Sequence, residues 1–135
     1  MITLASQLLE KTVSSNASDV FIVAGLPVSM RLNGIIVHED EERLKPNDTA
    51  EIIKQIYQMA IERDMQTLLA TGDDDFSFSI PGLSRFRVSA FKQRGSLSAV
   101  IRVISFSLPD AKEQGIPQQV IDFADFSKGL VLVTG

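Results

Sequence analysis

The chain has no cysteine. That excludes a disulfide framework and a thiolate metal site. It has a single histidine, His38, with no second imidazole or thiol to share a metal. No stretch approaches the roughly 20 apolar residues that span a bilayer. The first ten residues carry neither a basic region nor a long apolar run, so no signal peptide is expected. Positive charge is also scarce, with 13 Lys and Arg against 17 Asp and Glu and a net charge of −4. Nucleic acid is therefore not expected as a partner, because phosphate-backbone binding needs a basic surface. What is present is a globular balance. The 135 residues, 44% hydrophobic and 22% charged, suit one cytoplasmic domain with a single core.

Apolar spacing orders the elements. Leu4, Ala5, Leu8, Leu9, Thr12 and Val13 recur at helical intervals, with Thr3 as candidate cap. Residues 19–23 form a short β-rich run. Asn33-Gly34 is a strong hairpin signal between 29–32 and 35–38, which predicts a three-stranded meander. Glu39 to Glu42 then reads as a solvated loop. Pro46 opens a helix with Asn47 or Asp48 as cap, and Ile52, Ile53, Ile56, Tyr57 and Ala60 give its apolar face. A shorter helix holds Met65, Leu68 and Leu69 and ends at Gly72. Asp73 to Asp75 reads as an acidic loop entering a strand that alternates with period two to Ile80. Two more strands, 85–91 and 97–104, meet at Arg94-Gly95. A short helix is predicted over 117–123. Gly129 to Gly135 reads as an apolar strand that belongs inside another sheet. The fold class is α+β, an antiparallel sheet flanked by helices.

No serine sits in a nucleophile-elbow pattern, and neither acidic run has the alternating oxygen spacing of a calcium loop. No catalytic residue and no metal ligand is assigned in this chain. The arginines carry more information. A two-residue turn at Arg94-Gly95 pairs Gln93 with Ser96. The ladder then sets Phe86 opposite Val103, Val88 opposite Ile101, and Arg87 opposite Arg102. One face stays apolar, as a buried sheet face requires. Facing like charges are unfavourable, and an anion between them lowers that cost, because guanidinium forks match phosphate oxygens. Two alternatives remain open. The arginines can splay into water or pair with acids such as Asp73 to Asp75. A three-residue loop would shift the register by one. Arg85 shares the arginine face, and Lys92 and Arg94 add charge near the hairpin tip.

Ala17-Ser18-Asp19-Val20, Gly25-Leu26-Pro27 and Arg31-Leu32-Asn33-Gly34 resemble the opening of the PilT-type pilus-retraction ATPases. Asp75-Phe76-Ser77-Phe78, Arg85-Phe86-Arg87-Val88-Ser89-Ala90-Phe91, Gln93-Arg94-Gly95 and Val100-Ile101-Arg102 resemble that family's central hairpin. Gly129 to Gly135 resembles the strand that runs into its phosphate-binding loop, whose pattern G-x-x-x-x-G-K-[ST] would begin at Gly135. The family often has histidine two residues after the aspartate of its first strand; Phe21 stands there.

The resemblance implies a PAS-like N-terminal domain over residues 1–108. Residues 109–135 would be a linker, a short helix and the first strand of a RecA-like ATPase domain. It implies nucleotide-binding, phosphate-contacting roles for Arg87 and Arg102, with Arg94 a third candidate. ATP and Mg²⁺ are expected in the full-length parent and none in this chain, which should not hydrolyse ATP. The implied partners are the C-terminal ATPase domain, neighbouring subunits of a homo-hexamer and the inner-membrane pilus platform. The expected location is cytoplasmic, peripheral to the inner membrane at the pilus base. A start almost at Met1 favours the retraction type over pilus-extension or type II secretion motors. A free-standing PAS-like sensor of a small ligand is the other alternative.

Overall fold

A computed structural model describes residues 4–61 and 63–135. The candidate cap Thr3 lies outside the described residues. Helix α1 spans Ala5–Ser14 and is followed by β1 Asp19–Ile22, β2 Pro27–Leu32 and β3 Ile35–Arg43. Helices α2 Pro46–Met59 and α3 Gln66–Thr71 come next, then β4 Asp73–Ile80, β5 Ser84–Gln93 and β6 Ser96–Ile104. A short α4 covers Gln118–Asp122 and leads into a 3₁₀ turn, Phe123–Asp125.

The six strands form one antiparallel sheet in the order β3-β2-β1-β6-β5-β4. It is two three-stranded meanders joined where β1 pairs with β6. Both inner hairpins use two-residue turns. Asn33 and Gly34 have φ of 50° and 82°, and Arg94 and Gly95 have 49° and 79°. Positive φ at both central residues is what a type I′ turn requires, and its twist matches the strands. Gly95 supplies the second of these without a Cβ penalty. Gly95→Ala is expected to cost about 1 kcal/mol, read as a lower urea midpoint with an unchanged slope.

Alternation along the strands makes the two sheet faces unlike. Val20, Ile22, Met30, Phe76, Phe78, Phe86, Val88 and Ile101 point to one face and are buried. Against them pack Leu8 and Leu9 of α1, Ile52, Ile53, Ile56 and Tyr57 of α2, and Leu68 of α3. Fully burying a side chain of the size of Phe86 contributes roughly 1.5–3 kcal/mol. Helices α1, α2 and α3 thus serve one face, and the other carries the charged row among its side chains.

Helix ends show how local donors are met. The Ala5 N–H at the start of α1 donates to Gln55 Oε1 of α2 at 2.8 Å. The N-cap of α2 is Lys45, neither Asn47 nor Asp48. Asp48 sits at the third helical position, where its carboxylate accepts the Lys45 N–H at 2.7 Å, the back-reaching half of a capping box. Gly72 closes α3 with φ of 90°.

Two expectations of loops are corrected. Glu39 to Glu42 lie within β3, not in a loop, because β3 continues to pair with β2 as far as Pro27↔Arg43, past an irregularity after Ser29. Glu39 is also tied to Lys11 of α1 by an ion pair. Charges suit this strand because it is a sheet edge, where they discourage pairing with other chains. Asp73 to Asp75 likewise open β4, and Asp74 is buried. Gly129 to Gly135, expected to pair inside another sheet, form no strand within this one, and Leu130 to Val133 are exposed. A strand needs a neighbour for its backbone groups, and among the described residues none lies beside this segment.

Candidate functional site

The open face of the sheet carries one charged row. Register places Arg31 of β2 opposite Asp19 of β1, Asp19 opposite Arg102 of β6, Arg102 opposite Arg87 of β5, and Arg87 opposite Ser77 of β4. The row beside it runs Phe21, Val100, Ser89 and Asp75. Strands lie about 4.8 Å apart, so five neighbouring side chains in the first row include three guanidinium groups. Arg87 and Arg102 face each other, as the two-residue turn at Arg94-Gly95 requires.

Asp19 holds the row together. It is 3% exposed. Its Oδ1 accepts a hydrogen bond from Arg102 Nε at 3.1 Å. Its Oδ2 accepts one from the Ser18 hydroxyl at 2.8 Å and lies 3.8 Å from Arg31 Nε. The Arg31 guanidinium also stands 5.4 Å from the centre of the Phe21 ring, within cation–π range. Among the described residues, Arg87 makes no ion pair or side-chain hydrogen bond, and the terminal nitrogens of Arg102 make none either. Asp19, Asp75, Arg87, Ser89, Val100 and Arg102 line an open depression of about 310 Å³. Its lining balances two guanidinium groups against two carboxylates, and Arg31 stands in the same row on the far side of Asp19.

The structure brings Arg87 and Arg102 together and sets Arg94 elsewhere. Arg94 is at the tip of the β5–β6 hairpin, seven residues from Arg87, which is roughly 23 Å of strand. It lines a separate depression with Val23, Gly25 and Leu26. Arg85 reaches the Ser79 hydroxyl at 3.4 Å. Lys92 is turned toward α3, where its ammonium donates to the Leu69 carbonyl at 2.6 Å. His38 Nδ1 is 2.8 Å from the Ser29 hydroxyl. Among the described residues, no group of three or more acids and histidines is arranged to hold a metal.

The acid that sequence reasoning does not supply is Asp19 as the partner of Arg102. The two are 83 residues apart, and the β1–β6 pairing that joins them leaves no local pattern. One signal is visible. Aspartate is depleted in strands, and Asp19 heads an otherwise apolar one.

A second polar cluster lies on the buried face. Asp74 accepts two hydrogen bonds from Arg63, at 3.0 Å from Nε and 2.9 Å from Nη2, and a third from the Tyr57 hydroxyl at 2.9 Å. The Arg63 bond, against the cost of burial, holds the Asp74 carboxyl below its usual range. Burial first, then the bond to Asp74, pushes the Tyr57 phenol up. Both groups are thereby locked in the protonation states they have at neutral pH. The cluster is a clasp between the α2–α3 connection and β4, not a proton-transfer site.

No family model matches the chain. Individual relatives do. Over 129 residues, 96% of this chain, it is 33% identical to the type IV pilus ATPase PilU of Pseudomonas aeruginosa, of which it covers 33%. Over 130 residues, again 96% of the chain, it is 34% identical to the type IV pilus retraction ATPase PilT of the same organism, covering 37%. The crystal structure of the pilus retraction motor PilT with bound ADP superposes with a TM-score of 0.74 and 33% identity, over 92% of this chain and 36% of that one. The chain belongs with the N-terminal domain of the PilT-type ATPases. It spans about a third of the length of these relatives. The DotB ATPase of Legionella pneumophila shares the PilT-type fold at 24% identity and a TM-score of 0.62, over 89% of this chain and 34% of that one. Among the described residues, no helix is long and apolar enough to cross a membrane.

Proposed function

We propose that this PilT-type domain gates nucleotide use and makes subunit contacts in a hexameric ATPase that powers type IV pilus retraction. The observation that carries the reading is the facing pair Arg87 and Arg102 on the open face of a domain that matches the ADP-bound retraction motor PilT. In this reading the open face meets a nucleotide held by the RecA-like ATPase domain. The donor set fits a phosphate, because two guanidinium groups line one depression and Arg102 has its terminal nitrogens uncommitted. ATP would supply the phosphoryl group, and Mg²⁺ would be held by the ATPase domain's phosphate-binding loop. Arginines that reach the phosphate only when the two domains close bind one state better than the other. Such differential affinity shifts the domain equilibrium with nucleotide state. It also stabilises charge during phosphoryl transfer. Arg94 at the hairpin tip is placed for a contact separate from this pair. The assembly would work in the cytoplasm against the inner-membrane pilus platform.

Deleting the gene in its own host tests the direction of the motor. The expected outcome is surface pili that assemble normally with twitching abolished. Loss of the pili themselves would reassign the domain to an extension motor, and normal pili with normal twitching would overturn the pilus assignment.

A further inference from the structure

The Asp19 carboxylate has a role beyond neutralising charge. It is nearly inaccessible, and it meets Arg102 by the Nε edge alone. A guanidinium bound through Nε alone leaves the end-on fork of its two terminal nitrogens free, and a phosphate can take that fork. The Arg102 side chain is 62% exposed despite this anchor. Arg31 approaches the other oxygen of the same carboxylate, also through Nε, and rests near the Phe21 ring. The Ser18 hydroxyl donates to that oxygen and fixes the rotation of the carboxylate. One buried acid therefore mounts two arginines from two different strands.

We propose that Asp19 is the positioning residue of the arginine bay, and that it presents Arg31 as well as Arg102, beside Arg87, to a polyphosphate. The inference rests on the phosphate-binding reading of this face. It makes a prediction of opposite sign to simple electrostatics. If Asp19 only competed with phosphate for the arginines, removing its charge would tighten anion binding. If it positions them, removing it frees the guanidinium groups to rotate and loosens binding.

The test uses the 135-residue chain and inorganic tripolyphosphate, with affinity measured by NMR titration at fixed salt. Asp19→Asn is expected to weaken binding about tenfold, in line with the loss of charge-assisted positioning. Arg87→Ala and Arg102→Ala are expected to weaken it as well. Unchanged or tighter binding by Asp19→Asn, with both arginine variants weakened, would overturn the positioning role and leave the phosphate reading intact. Unchanged binding by the arginine variants, or no binding by the unmodified chain, would overturn the phosphate reading itself. A second measurement covers an Asp19→Asn chain that fails to fold. In the unmodified chain the Arg102 Nε–H signal should stay protected from solvent exchange when tripolyphosphate is bound. Loss of that protection on binding would mean that the ligand displaces Asp19, contrary to the proposal.

Discussion

Arg102→Ala and Arg87→Ala, each made in the protein that joins this domain to its ATPase domain, are expected to lower ATP turnover by about 10²-fold, the usual effect of removing one donor aimed at developing charge. The domain should still fold. Arg102 is 62% exposed in its side chain and Arg87 is exposed, so neither contributes core packing. The two substitutions should nonetheless differ. Removing Arg102 leaves the buried Asp19 with Ser18 and the more distant Arg31 as partners, so a small loss of stability is expected alongside the loss of turnover. Removing Arg87 breaks no side-chain hydrogen bond or ion pair among the described residues and relieves a like-charge neighbour, so its stability should be unchanged or slightly raised. A steady-state assay on both variants, with thermal melts run in parallel, separates these effects.

Asp74→Ala is expected to destabilise the domain by about 2–3 kcal/mol. It strands the buried Tyr57 hydroxyl and releases Arg63, and a buried group left without its partner costs more than the bond was worth. The figure is discounted because the Arg63 side chain is 40% exposed and water screens its share. For a domain of this size the melting temperature should fall by about 10 °C. The pH dependence has a definite sign. The folded pKa of Asp74 is depressed, so the unfolded chain takes up this proton first. Its contribution is complete above the unfolded value of about 3.9 and is lost as pH falls through the folded one. Tyr57 has the opposite shift, and its contribution is complete below about 10 and is lost only as pH rises through its raised folded value. Melts of Asp74→Asn should therefore lose the part of the acid dependence that begins near pH 4 and start from a lower plateau at neutral pH.

How much of this is readable from residues alone follows from the range of each interaction. The arginine pair is readable because Arg94-Gly95 permits a two-residue turn, which sets the whole ladder of β5 and β6. Helices α2 and α3 are readable from Ile52, Ile53, Ile56 and Leu68, which all prove buried. The joining of the two meanders through β1 and β6 is not readable, because nothing near Asp19 points to a partner 83 residues away. The clasp is missed for a related reason. Asp73, Asp74 and Asp75 look alike in sequence, and only the strand alternation and the arrival of Arg63 and Tyr57 single out the middle one. At the C-terminal end, apolar composition reads as a strand, yet 129–135 forms none, since a strand depends on a neighbour as much as on its own residues.

The central claim is that Arg87 and Arg102 grip one phosphate from facing strands. A double-mutant cycle on ATP turnover tests it most directly. Two groups that act on the same phosphate are not additive. The Arg87→Ala, Arg102→Ala double variant is therefore predicted to lose little more than the worse single variant, a coupling of at least about 1 kcal/mol. Losses that simply multiply, or wild-type turnover in both single variants, would contradict the shared grip.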